Sequence, residues 1–284
     1  MSQGFENKID VLLATYCPKE RMLCEQIDSI RAQKGVDINL ICREDIEGLG
    51  ACANFAKLLE SSTAEYVAFS DQDDVWLENK LAKSMERMRK LETEYGKDTP
   101  LLVFTDAKVV DPDLNILDES LFHRTKINPQ RLRPEQLIQQ NVANGNTMLF
   151  NAALARKATS IPREAFMHDH WVILVASVFG KIACIDEPTL LYRQHEGNVI
   201  GGAKVGIEYY LRRLRQGVRQ LRKRLYKNII QAEAFALRYP DAPACFKACI
   251  GFEKRNWFAR RWLLLRHGIF KNGLLRNIGV FLLI

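Results

Sequence analysis

Residues 66–76 read Tyr-Val-Ala-Phe-Ser-Asp-Gln-Asp-Asp-Val-Trp, and the fold turns on them. A short apolar run ends at Ser70 in three carboxylates within four residues, Asp71, Asp73 and Asp74. Leu77, Leu81, Met85 and Met88 then recur with helical spacing. The stretch is therefore a strand, a loop and a helix. In open α/β sheets, ligands bind just beyond the C-terminal ends of the strands. Carboxylates gathered there suit a hard divalent cation, which in turn binds phosphate oxygens. The competing reading is that Asp73 or Asp74 only caps the next helix. One Asp suffices for a cap, and three favour a metal–diphosphate site.

The neighbouring segments repeat the alternation. Ile9 to Ala14 is a buried-strand pattern, followed by a helix through Leu23, Ile27 and Ile30. Ile38 to Cys42 is a second strand, Ala51 to Leu59 a helix, and Leu101 to Thr105 a strand leading into Asp106. After Asn144-Gly145-Asn146 comes a further strand-like run, Thr147 to Phe150. This order predicts an α/β fold with a mostly parallel sheet and helices on both faces.

A chain of 284 residues can bury one large core and carry an extension. Its seven cysteines form no Cys-x-x-Cys pair and are odd in number, which argues against a disulfide framework and for a reducing cytosol. Met1 to Asp10 is polar, so no signal peptide is expected there, and no run approaches the ~20 apolar residues of a spanning helix. Charge is uneven. Residues 201–284 hold 18 basic and 4 acidic side chains, a net of +14, and residues 1–200 carry −7. An acidic catalytic unit (1–200) and a basic, anion-seeking extension (201–284) are expected.

Two further clusters carry chemistry. His168-Asp169-His170-Trp171 opens a helix pattern continued by Leu174, Val175 and Val178. Asp169 is either the N-cap of that helix or a carboxylate facing a cleft, and one residue can do both. A zinc site from the two histidines is disfavoured, since positions i and i+2 of a helix point apart. In Tyr192-Arg193-Gln194-His195-Glu196-Gly197-Asn198, His195 could ligate a metal and Arg193 meet a phosphate; an ordinary solvated loop is the alternative.

Taken in order, Leu13-Ala14-Thr15-Tyr16, Glu25-Gln26-Ile27-Asp28-Ser29-Ile30, Gly48-Leu49-Gly50 through Asn54-Phe55, and Ser70 to Trp76 resemble family 2 glycosyltransferases. The likeness is greatest to bacterial rhamnosyltransferases of surface polysaccharide synthesis. Asn144 to Thr147, His168 to Trp171 and Tyr192 to His195 fall where that family carries its later motifs, so the resemblance spans residues 8–200. It implies a GT-A fold, a nucleotide-diphosphate sugar donor, Mg²⁺ or Mn²⁺, and single-displacement transfer with inversion. Asp71 and Asp73 would hold the cation, with His195 as a further ligand. Asp169 would be the base. Thr15, Tyr16, Asp71, Asn54 and Arg193 would line the donor site. The chain departs from the pattern after its second strand, where Ile41 to Glu47 runs straight into Gly48-Leu49-Gly50. The family's usual Asp-Asp-Gly-Ser turn, helix and third strand are missing, Asp45 stands in for the nucleotide-contacting carboxylate, and a new sheet edge is expected.

In the rear segment, Ile207, Leu211, Leu214, Val218, Leu221 and Leu225 form one apolar stripe among many arginines. Later, Trp257, Phe258, Trp262, Leu263, Ile269, Phe270, Leu274 and Leu275 interleave with Arg255, Arg260, Arg261, Arg266, Lys271 and Arg276. Such helices suit an anionic membrane surface, or else pack on the catalytic unit with their charges solvated. No RNA-reading motif accompanies the charge, so nucleic acid is not expected as a partner. The expected protein is a cytoplasmic enzyme at the inner face of the plasma membrane, acting on a lipid-linked glycan. Its rivals are an inactive GT-A scaffold docked through basic helices and a haloacid-dehalogenase-like phosphate enzyme. The latter needs a nucleophilic aspartate on the first strand, which here ends in Ala14-Thr15-Tyr16.

Overall fold

In the computed structural model, which describes residues 8–195, 204–206 and 217–284, the sheet grows outward from β1 (Lys8–Thr15). β1 pairs in parallel with β2 (Asp37–Glu44) on one side and β3 (Tyr66–Ser70) on the other. The crossovers are α1 (Glu20–Arg31) and α2 (Ala51–Ser61). Beyond β3, the antiparallel β7 (Met148–Asn151) bridges to β5 (Leu101–Val110), and β8 (Lys181–Arg193) lies parallel to β5. The two-residue β4 (Val75–Trp76) pairs with β8, and β6 (Ile116–Asp118) pairs with β5. The order β2-β1-β3-β7-β5-β8-β4 is a mixed sheet in which β1, β2, β3, β5 and β8 share one direction.

Successive strand residues point to opposite faces, and both faces are covered. Leu12, Val67, Phe69, Leu102, Phe104 and Phe150 face α2 and α7 (His168–Phe179). Ile9, Val11, Ala68, Val103 and Leu149 face Ile30 of α1 and Leu81, Met85 and Met88 of α3 (Lys80–Tyr95). Burial on both sides explains why these strands are nearly unbroken apolar runs.

Two local expectations are corrected, and the alternative of a helix cap at Asp73 or Asp74 is ruled out. The strand starting at Leu101 does not stop at Thr105; it runs to Val110 with Asp106 inside it, because β8 continues alongside after a register shift at Asp106. Thr147 closes a 3₁₀ turn, Gly145–Thr147, and β7 begins at Met148. Neither Asp73 nor Asp74 caps the following helix, since β4 intervenes and Asn79 precedes α3. The Trp76 N–H donating to Ser29 Oγ (3.0 Å) and the Leu77 N–H donating to Thr189 O (2.9 Å) hold the chain extended there.

Among the described residues, β2 is an edge strand bonded to β1 alone. Its residues are only partly covered, and Asp37, Arg43 and Glu44 place charge along it, a common guard against edge-to-edge pairing.

The rear segment divides. Ile207, Leu211 and Leu214 of the expected stripe lie outside the described residues, as do Arg212, Arg213 and Arg215. Of its described members, Val218 is exposed, Leu221 is half-buried and only Leu225 is buried; α8 (Val218–Arg238) makes its main buried face further on, with Ile229, Ala232 and Phe235. Phe235 meets the Trp171 ring of α7 at 5.4 Å, so this helix shares the core built on the sheet. Then come α9 (Ala244–Lys247), α10 (Trp257–Arg266) and α11 (Leu274–Leu283). Among the described residues, no helix is long and apolar enough to cross a membrane.

Candidate active site

The site lies where β1 and β3 end. Gln72 reaches back to β1 and clamps Tyr16 in both directions, its Oε1 accepting from the Tyr16 N–H (2.7 Å) and its Nε2 donating to Tyr16 O (3.1 Å). This leaves the Tyr16 ring 62% exposed beside the carboxylates' loop. From below, Gln26 on the buried face of α1 holds the loop. With its amide in the orientation its neighbours require, it accepts from Ser70 Oγ and Trp76 Nε1 and donates to Asp74 O and Ser29 Oγ.

The three aspartates have different surroundings. Asp74 is fully buried, accepting from the Arg193 N–H (2.9 Å) and from Asn146 Nδ2. It fastens the loop to β8 and to the 144–147 turn, and burial raises its pKa. Asp73 is partly exposed, and its Oδ2 lies 2.6 Å from His195 Nε2. The Asp71 carboxylate takes no hydrogen bond among the described residues. Burial, and then the charges of Asp74, Asp73 and Asp169, hold its pKa well above the usual carboxylate range.

Asp169 sits in the first turn of α7, not at its N-cap, which is Met167. Its Oδ2 accepts from the Gly145 N–H (3.1 Å) and its Oδ1 from the His170 N–H (2.6 Å). Burial pushes its pKa up to about 6 against those two donors. The close approach requires Gly145, because a Cβ there would stand 2.9 Å from His168 Nε2 and 3.3 Å from Asp169 Cβ. Both flanking histidines point away into the protein. The His168 ring stacks on Phe55 (3.8 Å), and His170 Nε2 meets Leu137 O (2.7 Å).

Other expected donor-site residues are committed to the scaffold. Arg193 is fully buried at the end of β8, donating to Glu25 (2.5 Å) and Pro112 O (3.0 Å); it is a strand residue and not part of a solvated turn. Asn54 accepts from Arg43 Nη1 (2.5 Å) and donates to Arg43 O (3.2 Å), joining α2 to β2. Asp45 accepts from the Leu49 and Gly50 N–H groups (2.8 and 2.7 Å), closing the short turn; these bonds outweigh desolvation and lower its pKa. Thr15 O accepts from the Asp45 N–H (2.8 Å). The sequence reading missed Gln26, Gln72, Asn146 and Glu25. Gln26 does leave a trace, as a polar residue among the buried Met22, Ser29 and Ile30 of α1.

Asp71, Asp73 and His195 suit a divalent cation in part. Among the described residues no three or more His, Cys, Asp or Glu side chains are grouped so as to hold a metal ion by themselves. Mg²⁺ and Mn²⁺ do not need such a group, since they take one or two carboxylates and complete their shell with phosphate oxygens and water. The carboxylate repulsion that raises Asp71's pKa is what such a cation would relieve.

No family model and no curated protein sequence matches this chain. Solved structures do. TarS (residues 1–349) of S. aureus in complex with UDP-GlcNAc superposes with a TM-score of 0.51 at 14% identity, over 90% of this chain and 80% of that one. The mannosyltransferase PcManGT from Pyrobaculum calidifontis, in complex with GDP-Man and Mn²⁺, superposes with 0.51 at 15% identity, over 93% and 74%. The chain thus has the GT-A-like fold of nucleotide-sugar glycosyltransferases.

Proposed function

We propose that the protein is a metal-dependent, inverting glycosyltransferase. It moves a sugar, rhamnose or another hexose, from a nucleotide-diphosphate donor to a lipid-linked bacterial glycan at the inner face of the plasma membrane. The observation that supports the reading is the Asp73–His195 contact in the loop that carries Asp71 beyond β3, with the charges of Asp73, Asp74 and Asp169 adding to burial in raising Asp71's pKa. Fold, site and partly exposed Tyr16 support it together.

In this reading Asp71 and Asp73 hold Mg²⁺ or Mn²⁺, with His195 as a third donor. When bound, the cation neutralises charge on the departing diphosphate. Asp169 takes the proton from the acceptor hydroxyl; a pKa near 6 keeps it ionised yet basic at neutral pH. The Gly145 N–H orients its other oxygen. Tyr16 offers an exposed ring for the nucleotide base, and Thr15 and Asp45 shape the turn beside it. Arg193 and Asn54 support the site from beneath.

The second reading, an inactive scaffold, is favoured by one observation: both Asp45 oxygens are spent on the chain's own turn. A thermal-shift panel of UDP-, GDP- and dTDP-sugars with and without Mn²⁺ separates the two. A Mn²⁺-dependent shift with one nucleotide supports the transferase, and no shift with any supports the scaffold.

A further inference from the structure

The last two helices bury one side and leave an apolar stripe on the other. In α10, Leu263 and Leu264 face the core, whereas Phe258 (77% exposed), Trp262 and Leu265 follow one another at i, i+4 and i+7 on the outer side. In α11, Val280 is buried, whereas Leu274 (77% exposed), Ile278 and Leu282 (71% exposed) repeat at i, i+4 and i+8. The two helices are joined by Arg261, whose Nη1 donates to Trp257 O (2.9 Å) and whose Nη2 donates to Leu282 O (3.4 Å). Phe270, Leu274, Ile278, Phe281 and Leu282 line an apolar groove of about 420 Å³. Exposed large side chains in such number mark an interaction surface.

Charge says what covers it. After Glu253 the sequence contains no Asp or Glu, but it contains Lys254, Arg255, Arg260, Arg261, Arg266, Lys271 and Arg276. Arg261 is buried, but a second copy laying the same face against this one would bring exposed cations such as Lys254, Arg255 and Arg266 together, which like-charge repulsion opposes. An anionic surface that also accepts apolar side chains meets both demands. Trp257 and Trp262 suit its interfacial layer, where a ring can be apolar on its face and hydrogen-bonded at its N–H. The helices are too short to span a bilayer, so they lie along it.

We infer that the outer stripes of α10 and α11 dock this protein on an anionic lipid bilayer, inserting Phe258, Trp262, Leu274, Ile278 and Leu282 between headgroups. The inference rests on the proposed transferase only for its purpose, which is to hold the strand-end site near a lipid-linked acceptor. Docking itself needs no turnover.

The test uses the full chain with vesicles of phosphatidylcholine alone or mixed with phosphatidylglycerol. Flotation is expected only with the mixed vesicles, with binding about tenfold weaker at high salt. Tryptophan emission should shift to the blue on binding. Trp76 and Trp171 are already buried, so the shift reports Trp257 and Trp262. The variant Leu274→Ser/Ile278→Ser/Leu282→Ser changes exposed positions; it should keep the wild-type melting temperature and lose both flotation and shift. An Asp73→Asn protein should float normally, which separates this inference from the catalytic one. Absence of flotation at low salt by the folded wild type would overturn it. So would sedimentation showing a dimer that the triple variant abolishes, which would assign the face to a second copy.

Discussion

His195 Nε2 lies 2.6 Å from Asp73 Oδ2, a contact that joins the end of β8 to the β3–β4 loop across 122 residues of chain. Asp74, the next residue, is tied to the same strand through the Arg193 N–H. The loop is thus held by its buried carboxylate while Asp71 and Asp73 remain partly exposed. Buried, hydrogen-bonded support of this kind keeps a ligand-binding group in a fixed geometry.

Replacing Asp73 with Asn should remove Mn²⁺-dependent nucleotide-sugar binding and abolish transfer, with the melting temperature nearly unchanged because the side chain is partly exposed. Calorimetric titration of donor with and without Mn²⁺ checks this. Unaltered metal-dependent affinity would take Asp73 out of the cation site.

Asp169→Asn should bind donor like the wild type and lose about 100-fold or more in turnover, since only the proton acceptor is gone. Asp169 has its pKa raised to about 6, so its charge opposes folding at neutral pH. The variant should therefore melt no earlier than wild type at pH 7. A large fall in melting temperature with activity retained would instead mark Asp169 as a structural residue of the helix start.

Gly145→Ala should act through its neighbour. The new Cβ would press on His168 Nε2, which cannot retreat because its ring is stacked on Phe55 and edge-on to Phe69 at 4.7 Å. Such overpacking costs about 1–3 kcal/mol. Displacing the turn should also break the Gly145 N–H bond to Asp169, so turnover should fall further than stability explains. Denaturation midpoint and kcat on one preparation separate the two effects.

Acid should destabilise the fold through two buried histidines. Burial lowers the pKa of His168 to about 3 and that of His170 to about 4. Below their unfolded value of about 6.5 the unfolded chain takes up protons that the folded one refuses, so stability is lost as pH falls. Each contributes a loss of about 2 kcal/mol between pH 6.5 and 5. Asp169, with its raised pKa, works in the opposite direction from about pH 6 downward. The comparison is therefore made between wild type and His168→Phe, whose stability should fall less steeply over that range in urea titrations. Parallel pH profiles would show that His168 is not the titrating group.

Strand and helix order was readable because the signals are local. An apolar run that ends in Ser70-Asp71-Gln72-Asp73-Asp74 needs no distant partner to be recognised, and neither does the return of leucines and methionines at helical spacing after it. The short link between β2 and α2, with no further element in it, was equally visible as a simple shortness of chain. What went astray were ends: β5 ran past Thr105 and β4 arose within the expected loop, because in both places β8 supplied a pairing edge that no local pattern announces.

By itself, then, the sequence determined the layered α/β architecture, the exposed β2 edge, the carboxylate cluster at a strand end and the strongly basic tail. Each follows from residue type, spacing and count. Only the tertiary structure decided how similar residues divide their work. Asp74 is locked by Asn146, 72 residues away, while Asp71 and Asp73 stay partly exposed. Arg193 turns inward to Glu25 across 168 residues and away from the loop that its neighbours suggested. The basic tail likewise splits, α8 entering the core against Trp171 while α10 and α11 keep an apolar side outward. The physical reason is common to all three. A side chain's charge and exposure are set by whichever groups folding brings within hydrogen-bond or packing distance, and these partners lie far apart along the chain.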